Sequence, residues 1–124
     1  MGNVNNKEQY DGENIFAKIL RGEIPCKKIY ENDFVLAFED INPQAPLHVL
    51  IIPKEEFCNF QDFSEMADDK LITEMIKSIG IVAKQLSLVD GYRIISNIGK
   101  NGGQEVPHLH FHLLGKKRMG KILP

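Results

Sequence analysis

Residues 102–115 read GGQEVPHLHFHLLG. Three of the chain's four histidines, His108, His110 and His112, stand here at alternate positions, with Leu109 and Phe111 between them and Leu113 after them. On a β-strand, side chains two apart share a face. HLHFHLLG, 108–115, therefore reads as a strand with imidazoles on one side and Leu109, Phe111 and Leu113 on the other. The apolar side offers a surface for a helix to cover and explains why the segment is a strand. It leaves the histidine row to be explained by chemistry.

Working outward, HVLIIP (48–53) is a dense β-branched run and reads as a central strand. KKIYEN and FVLAFED read as two further strands joined at Asn32-Asp33, and GYRIISN as a fifth. NIFAKILRGEIP carries a short helix: Asn14 caps it, Ile15, Phe16 and Ile19 form its apolar stripe, and Gly22 and Pro25 end it. From Ala67 to Leu88 apolar residues recur at helical spacing (Leu71, Met75, Ile79, Val82, Leu86), which predicts one long helix ended by Gly91. The intervening KEEFCNFQDFSEM is expected to be irregular. Short connections favour antiparallel pairing, so the fold class is α+β: a five-stranded antiparallel sheet with one long and one short helix.

The 124 residues are one domain's worth. At 43% hydrophobic and 26% charged, with net charge −2, the composition is that of a globular protein. It gives no support for a nucleic-acid backbone binder or a polybasic membrane anchor. Cys26 and Cys58 lie far apart without a CxxC pattern and read as free thiols in a reducing, cytoplasmic setting. No apolar run approaches the ~18 residues of a membrane span. MGNVNNKEQYDGEN lacks a signal-peptide core, and Asn6 stands where a myristoylation motif calls for Ser or Thr. Residues 1–13 are expected to form a disordered tail and 14–124 a single domain.

The histidine row admits three readings. As surface polar residues, they would alternate by chance, in a chain otherwise poor in histidine. As metal ligands, two neighbouring imidazoles can converge on one zinc, but a third on the same strand, roughly 13 Å along, reaches poorly. His48 can supply another ligand, yet neither cysteine pairs nor an Asp-x-His carboxylate joins the set. As a nucleophile with helpers, a neutral imidazole attacks phosphorus or acyl carbon near pH 7, while its neighbours orient it and bind phosphoryl oxygens. That reading makes use of a row, because a substrate lies along a strand and a metal sits at a point. The upstream NGGQEV places two glycines where backbone N–H groups can face an anion, though glycine pairs also make ordinary turns. No GK[ST] follows, so it is not a Walker A loop.

HLHFHLL fits the pattern His-φ-His-φ-His-φ-φ, with φ apolar, and resembles the histidine-triad (HIT) family. IFAKILRGEIPCKKIYENDFVLAFEDINPQAPLHVLIIPK and GYRIISNIGKNGGQEVPHLHFHLLG are similar to the two halves of its Hint branch, so the resemblance spans about residues 14 to 119. It implies a homodimer whose sheet continues across a two-fold axis. It also implies hydrolysis of purine nucleoside phosphoramidates, of the adenosine 5′-phosphoramidate type, to the nucleoside monophosphate. Neither metal nor cofactor is expected, because the spacing of the row suits a substrate lying along the strand. By the same resemblance His110 is the nucleophile and forms a nucleotidyl-histidine. His112 contacts the phosphate and helps the leaving group, and His108 and His48 complete the cluster that fixes the His110 ring. Asp40 binds the ribose hydroxyls. Ile15, Phe16, Phe38 and Ile41 form the purine pocket, and Asn97 with Gly103, Gln104 and Glu105 the phosphate side. Glu105 departs from the serine expected there, and NIFA replaces the CxxC zinc site of some bacterial members. Two alternatives follow from the same features: dinucleoside polyphosphate hydrolysis, as in the Fhit branch, and a nucleotide-binding or scaffold module with weak catalysis.

Overall fold

The structure, a computed structural model, describes residues 10–122. Five strands form one sheet: β1 (Lys28–Glu31), β2 (Val35–Glu39), β3 (Leu47–Pro53), β4 (Tyr92–Ile95) and β5 (Phe111–Gly115). Their spatial order is β1-β2-β3-β5-β4, and every neighbouring pair is antiparallel. The α+β class and the antiparallel sheet are as the sequence indicates. Three helices accompany it: α1 (Ile15–Leu20), α2 (Phe60–Met66) and α3 (Asp69–Gln85).

Helix α2 corrects the expectation of an irregular 54–66 segment. Its signal is local: the Asn59 side chain accepts the Asp62 N–H at 2.9 Å and caps the first turn. The helix buries Phe63 against Phe57 and is too short for a periodic stripe to show. Asn14 caps α1 as read, accepting the Ala17 N–H at 2.9 Å, and Asp68 caps α3 in the same way through Leu71.

Both faces of the sheet are covered, which is why β2 and β3 read as continuous apolar runs. On one face Val35, Ala37, Val49, Ile51, Phe111 and Leu113 pack with Leu71, Met75, Ile79 and Val82 of α3, together with Leu109 from the chain leading into β5. Burying each such side chain contributes about 1.5–3 kcal/mol, so this layer is the main source of stability. On the other face Leu36, Phe38, Leu50 and Ile52 pack with Phe16 of α1 in a smaller cluster. The smaller layer leaves room for a cleft beside α1. His48 and His112 belong to this second face, since Leu50 pairs with His112 and His48 with Leu114.

Strand β5 starts later than HLHFHLLG predicts. His108, Leu109 and His110 precede the ladder. Leu109 donates its N–H to the Phe57 carbonyl at 2.8 Å, and the His110 carbonyl accepts from the Ser96 hydroxyl at 2.9 Å. Loop contacts therefore hold the first two histidines where the sequence pattern expects ladder bonds.

The expected tail also ends sooner than residue 13. Asp11 to Asn14 form a turn closed by Asn14 N–H to the Asp11 carbonyl, and Tyr10, just before it, packs against His108. Residues 1–9, on which the remaining tail and lipidation readings fall, lie outside the described residues. Among the described residues no helix is long and apolar enough to cross a membrane.

Candidate active site

The histidines sort by what their ring nitrogens face. His110 Nδ1 lies 2.7 Å from the His108 carbonyl oxygen. A carbonyl only accepts, so Nδ1 carries the proton and Nε2 keeps the lone pair in the neutral ring. The His110 ring stacks edge-on against Phe16 at 4.9 Å between centroids and against His112 at 5.1 Å. Burial lowers its pKa, against opposing contributions from the hydrogen bond to the His108 carbonyl and from Asp40. The neutral, nucleophilic form therefore dominates at pH 7.

A second chain of bonds fixes His112. The Gln44 N–H donates to His48 Nδ1 at 3.0 Å, so the hydrogen of neutral His48 sits on Nε2. That Nε2–H faces His112 Nδ1 at 2.9 Å and Asp40 Oδ2 at 3.4 Å. His112 Nδ1 thus accepts, and its own hydrogen is on Nε2. Burial pushes His112 down to about 4, helped by the neighbouring His110 and His48, and burial also lowers His48. The result is one basic nitrogen on His110 and one neutral N–H donor on His112, in adjacent rings.

His108 plays a different part from the one inferred for it. Its ring is fully buried and makes no contact with the cleft. Nε2–H donates to the Pro53 carbonyl at 2.9 Å, and it is the backbone carbonyl of His108 that orients His110. His48, likewise, holds His112 and not His110.

His110 and His112 line a cleft of about 450 Å³, the size that holds a small ligand. Ile15, Phe16, Phe38 and Ile41 line it as expected, and so do Asp40, Asn97, Gly103 and Glu105. Gln104 does not. Its side chain accepts the Gly99 N–H and donates to the Cys58 and Val106 carbonyls at 2.7–2.9 Å, which staples the glycine loop from within. Ile19, Ile24, Pro25, Cys26, Asn42, Leu50 and Val106 also border the cleft, and sequence reasoning had not assigned them a role there. Their side chains are small or apolar and carry no signal of their own. Among the described residues, the cleft lining contains three carboxylates, Glu39, Asp40 and Glu105, and neither lysine nor arginine.

Asp40, which stands in no Asp-x-His pattern, lies beside the histidines in the fold. Asp40, His48 and His112 offer ligand atoms within 4.8 Å of one another. The hydrogen bonds argue against a metal there. For His48 Nε2 to bind an ion, the ring hydrogen must move to Nδ1, where it would collide with the Gln44 N–H. As folded, His48 and His112 form a hydrogen-bonded pair with the Asp40 carboxylate beside it, not a ligand cage.

A neutral imidazole with a free Nε2 lone pair, beside a second imidazole that donates, in a cleft bordered by a glycine loop, is an arrangement suited to nucleophilic attack on phosphorus or acyl carbon. The comparisons give the family. The HIT domain model matches residues 21–119, and the chain belongs to the HIT family. An uncharacterised 13.2 kDa HIT-like protein of Azospirillum brasilense is 49% identical over 115 residues, covering 92% of this chain and 94% of that one. The purine nucleoside phosphoramidase of Escherichia coli K12 is 46% identical over 115 residues, covering 90% and 93%. Among solved structures, a histidine triad protein from Clostridium difficile superposes with TM-score 0.80 at 41% identity, over 90% of this chain and 96% of that one. A HIT family hydrolase from Legionella pneumophila gives 0.81 at 40% identity, over 87% and 96%.

Proposed function

We propose that this HIT-family hydrolase cleaves purine nucleoside phosphoramidates to the nucleoside monophosphate through a nucleotidyl-His110 intermediate. The observation that carries the reading is the His110 tautomer: Nδ1–H is held on a carbonyl, and Nε2 is the basic nitrogen of a ring that lines the cleft. Nε2 attacks the α-phosphorus, the P–N bond breaks with its electron pair on the leaving nitrogen, and water then cleaves the nucleotidyl-imidazole. The hydrogen bond from Nδ1–H to the His108 carbonyl strengthens as the ring becomes cationic. His112 Nε2–H donates to the phosphoryl group and helps the leaving amine go. The base lies between Phe16, Phe38, Ile15 and Ile41, and Asp40 accepts from the ribose hydroxyls.

The charge of the cleft favours this substrate over dinucleoside polyphosphates. Among the described residues the lining offers three carboxylates and no Lys or Arg to offset the charge of a polyphosphate chain, whereas backbone N–H groups, Asn97 and the imidazoles suffice for one phosphoryl group. The 46% identity to the E. coli protein named purine nucleoside phosphoramidase supports the same choice. We also infer a homodimer. β4 is an edge strand, and Tyr92 and Ile94 on it are 43% and 48% exposed, while Ile76 and Ile81 of α3 are 55% and 47% exposed. Free Cys26 and Cys58 fit a reducing, cytoplasmic setting.

The test is a panel of adenosine and guanosine phosphoramidates beside diadenosine polyphosphates, followed by product analysis. Preferential release of nucleoside monophosphate from the phosphoramidates is expected. Faster cleavage of the polyphosphates would overturn the assignment.

A further inference from the structure

The Tyr10 hydroxyl lies 2.5 Å from His108 Nδ1. The opposite nitrogen, Nε2, donates to the Pro53 carbonyl, so Nδ1 is the acceptor and the phenol is the donor. Phe16 of α1, which lines the cleft, packs edge-on against the same His108 ring, 6.3 Å between centroids. The ring that Tyr10 holds therefore borders the wall of the base pocket. His108 has no ring contact with the cleft, but its carbonyl holds the His110 Nδ1–H.

We propose, resting on the assignment of His110 as nucleophile, that Tyr10 is a positioning residue: its hydroxyl pins the His108 ring, which in turn fixes the carbonyl that orients His110. The backbone around His108 makes a side-chain pin necessary. Ladder bonds begin only at Phe111, so at this point the chain is held by Leu109 N–H to Phe57 and by the two hydrogen bonds of the His108 ring. Without the phenol, Nδ1 of a fully buried imidazole loses its donor. The ring must then turn or admit water, and either shifts the peptide whose oxygen holds His110. Tyr10 itself is absent from the cleft lining, so nucleotide contacts are untouched.

The test is Tyr10→Phe, which keeps the ring and removes the hydroxyl. With adenosine phosphoramidate, kcat is expected to fall roughly three- to tenfold, with KM within about twofold of the starting value. A role confined to packing predicts an unchanged kcat, because phenylalanine preserves the ring. The second readout is independent of turnover. Long-range proton–nitrogen NMR of the imidazoles should show His108 Nδ1 moving toward the shift of an unbonded nitrogen in Tyr10→Phe. The His110 Nδ1–H signal should exchange faster with solvent. An unchanged kcat, or unchanged His108 and His110 resonances, overturns the role of Tyr10. An inactive unsubstituted protein would count against the phosphoramidase reading, and the NMR arm would still decide for or against the Tyr10–His108–His110 coupling.

Discussion

Acidification from pH 7 to 4.5 should remove stability from this fold through its buried histidines, and His108 sets the scale. Burial pushes its pKa from 6.5 down to about 4. In the unfolded chain the same imidazole takes up a proton near 6.5. Between those values the unfolded state binds more protons than the folded one, so unfolding free energy rises with pH and falls on acidification. The difference is worth about 3 kcal/mol at 1.36 kcal/mol per pH unit, lost progressively from about pH 6.5 to 4. His48, His110 and His112 are shifted in the same direction. Glu31 acts lower: held to about 2 by hydrogen bonds from Lys28 and Lys54, it loses its contribution only as pH falls below 4.5. Its loss therefore falls below the histidine window. Urea midpoints at pH 7, 6, 5 and 4.5 and one protein concentration should decline steadily, by about 1 M or more in total. His108→Gln should be less stable at pH 7 but show a slope shallower by up to about 1.4 kcal/mol per pH unit. A flat profile between pH 6.5 and 4.5, or a full slope in His108→Gln, would refute the claim that His108 is buried neutral.

Three further outcomes follow. In Gly102→Ala the new Cβ would lie 2.5 Å from the Ile98 carbonyl oxygen and 2.8 Å from its nitrogen, both backbone atoms. The loop must shift, and kcat/KM should drop about tenfold or more with a stability loss of about 1–3 kcal/mol, measured by steady-state kinetics and urea melts. Asp40→Asn should lower kcat/KM for a ribonucleoside phosphoramidate about tenfold while leaving the 2′,3′-dideoxy analogue nearly unaffected, and an equal loss on both would remove Asp40 from the ribose. Prolonged treatment with a strong chelator should leave activity intact, because the His48 tautomer presents a hydrogen and not a lone pair to the Asp40–His112 pair.

Most of the sheet was legible because its signals are periodic or capped. The alternation around Phe111, the apolar runs of β2 and β3, and the Asn14 cap each state a local preference that packing then satisfies. Helix α2 was not legible, since seven residues carry one cap and no repeat. The alternation of the histidine row marks it as a candidate site, and His110 and His112 do line the cleft. Its internal wiring is not legible in the sequence, because Pro53 and Ser96 are distant in sequence from their partners and Gln44, four residues from His48, contributes only a backbone N–H. Gln104 looked like a phosphate ligand by its place in the loop, but an amide with one acceptor and two donors can close a loop on itself, and here it does. Tyr10 was assigned to a tail because the residues around it are polar, and only its distance to His108 reveals it.

The central claim is that His110 becomes covalently nucleotidylated. The most direct measurement is a rapid quench of enzyme mixed with equimolar radiolabelled adenosine phosphoramidate, followed by peptide mapping under alkaline conditions. The account predicts an acid-labile nucleotidyl group on the peptide bearing His110, formed faster than nucleoside monophosphate appears. It should be absent in His110→Ala, whose turnover falls by at least roughly a thousandfold. Full turnover without a labelled peptide, or a label carried by His112, would contradict it.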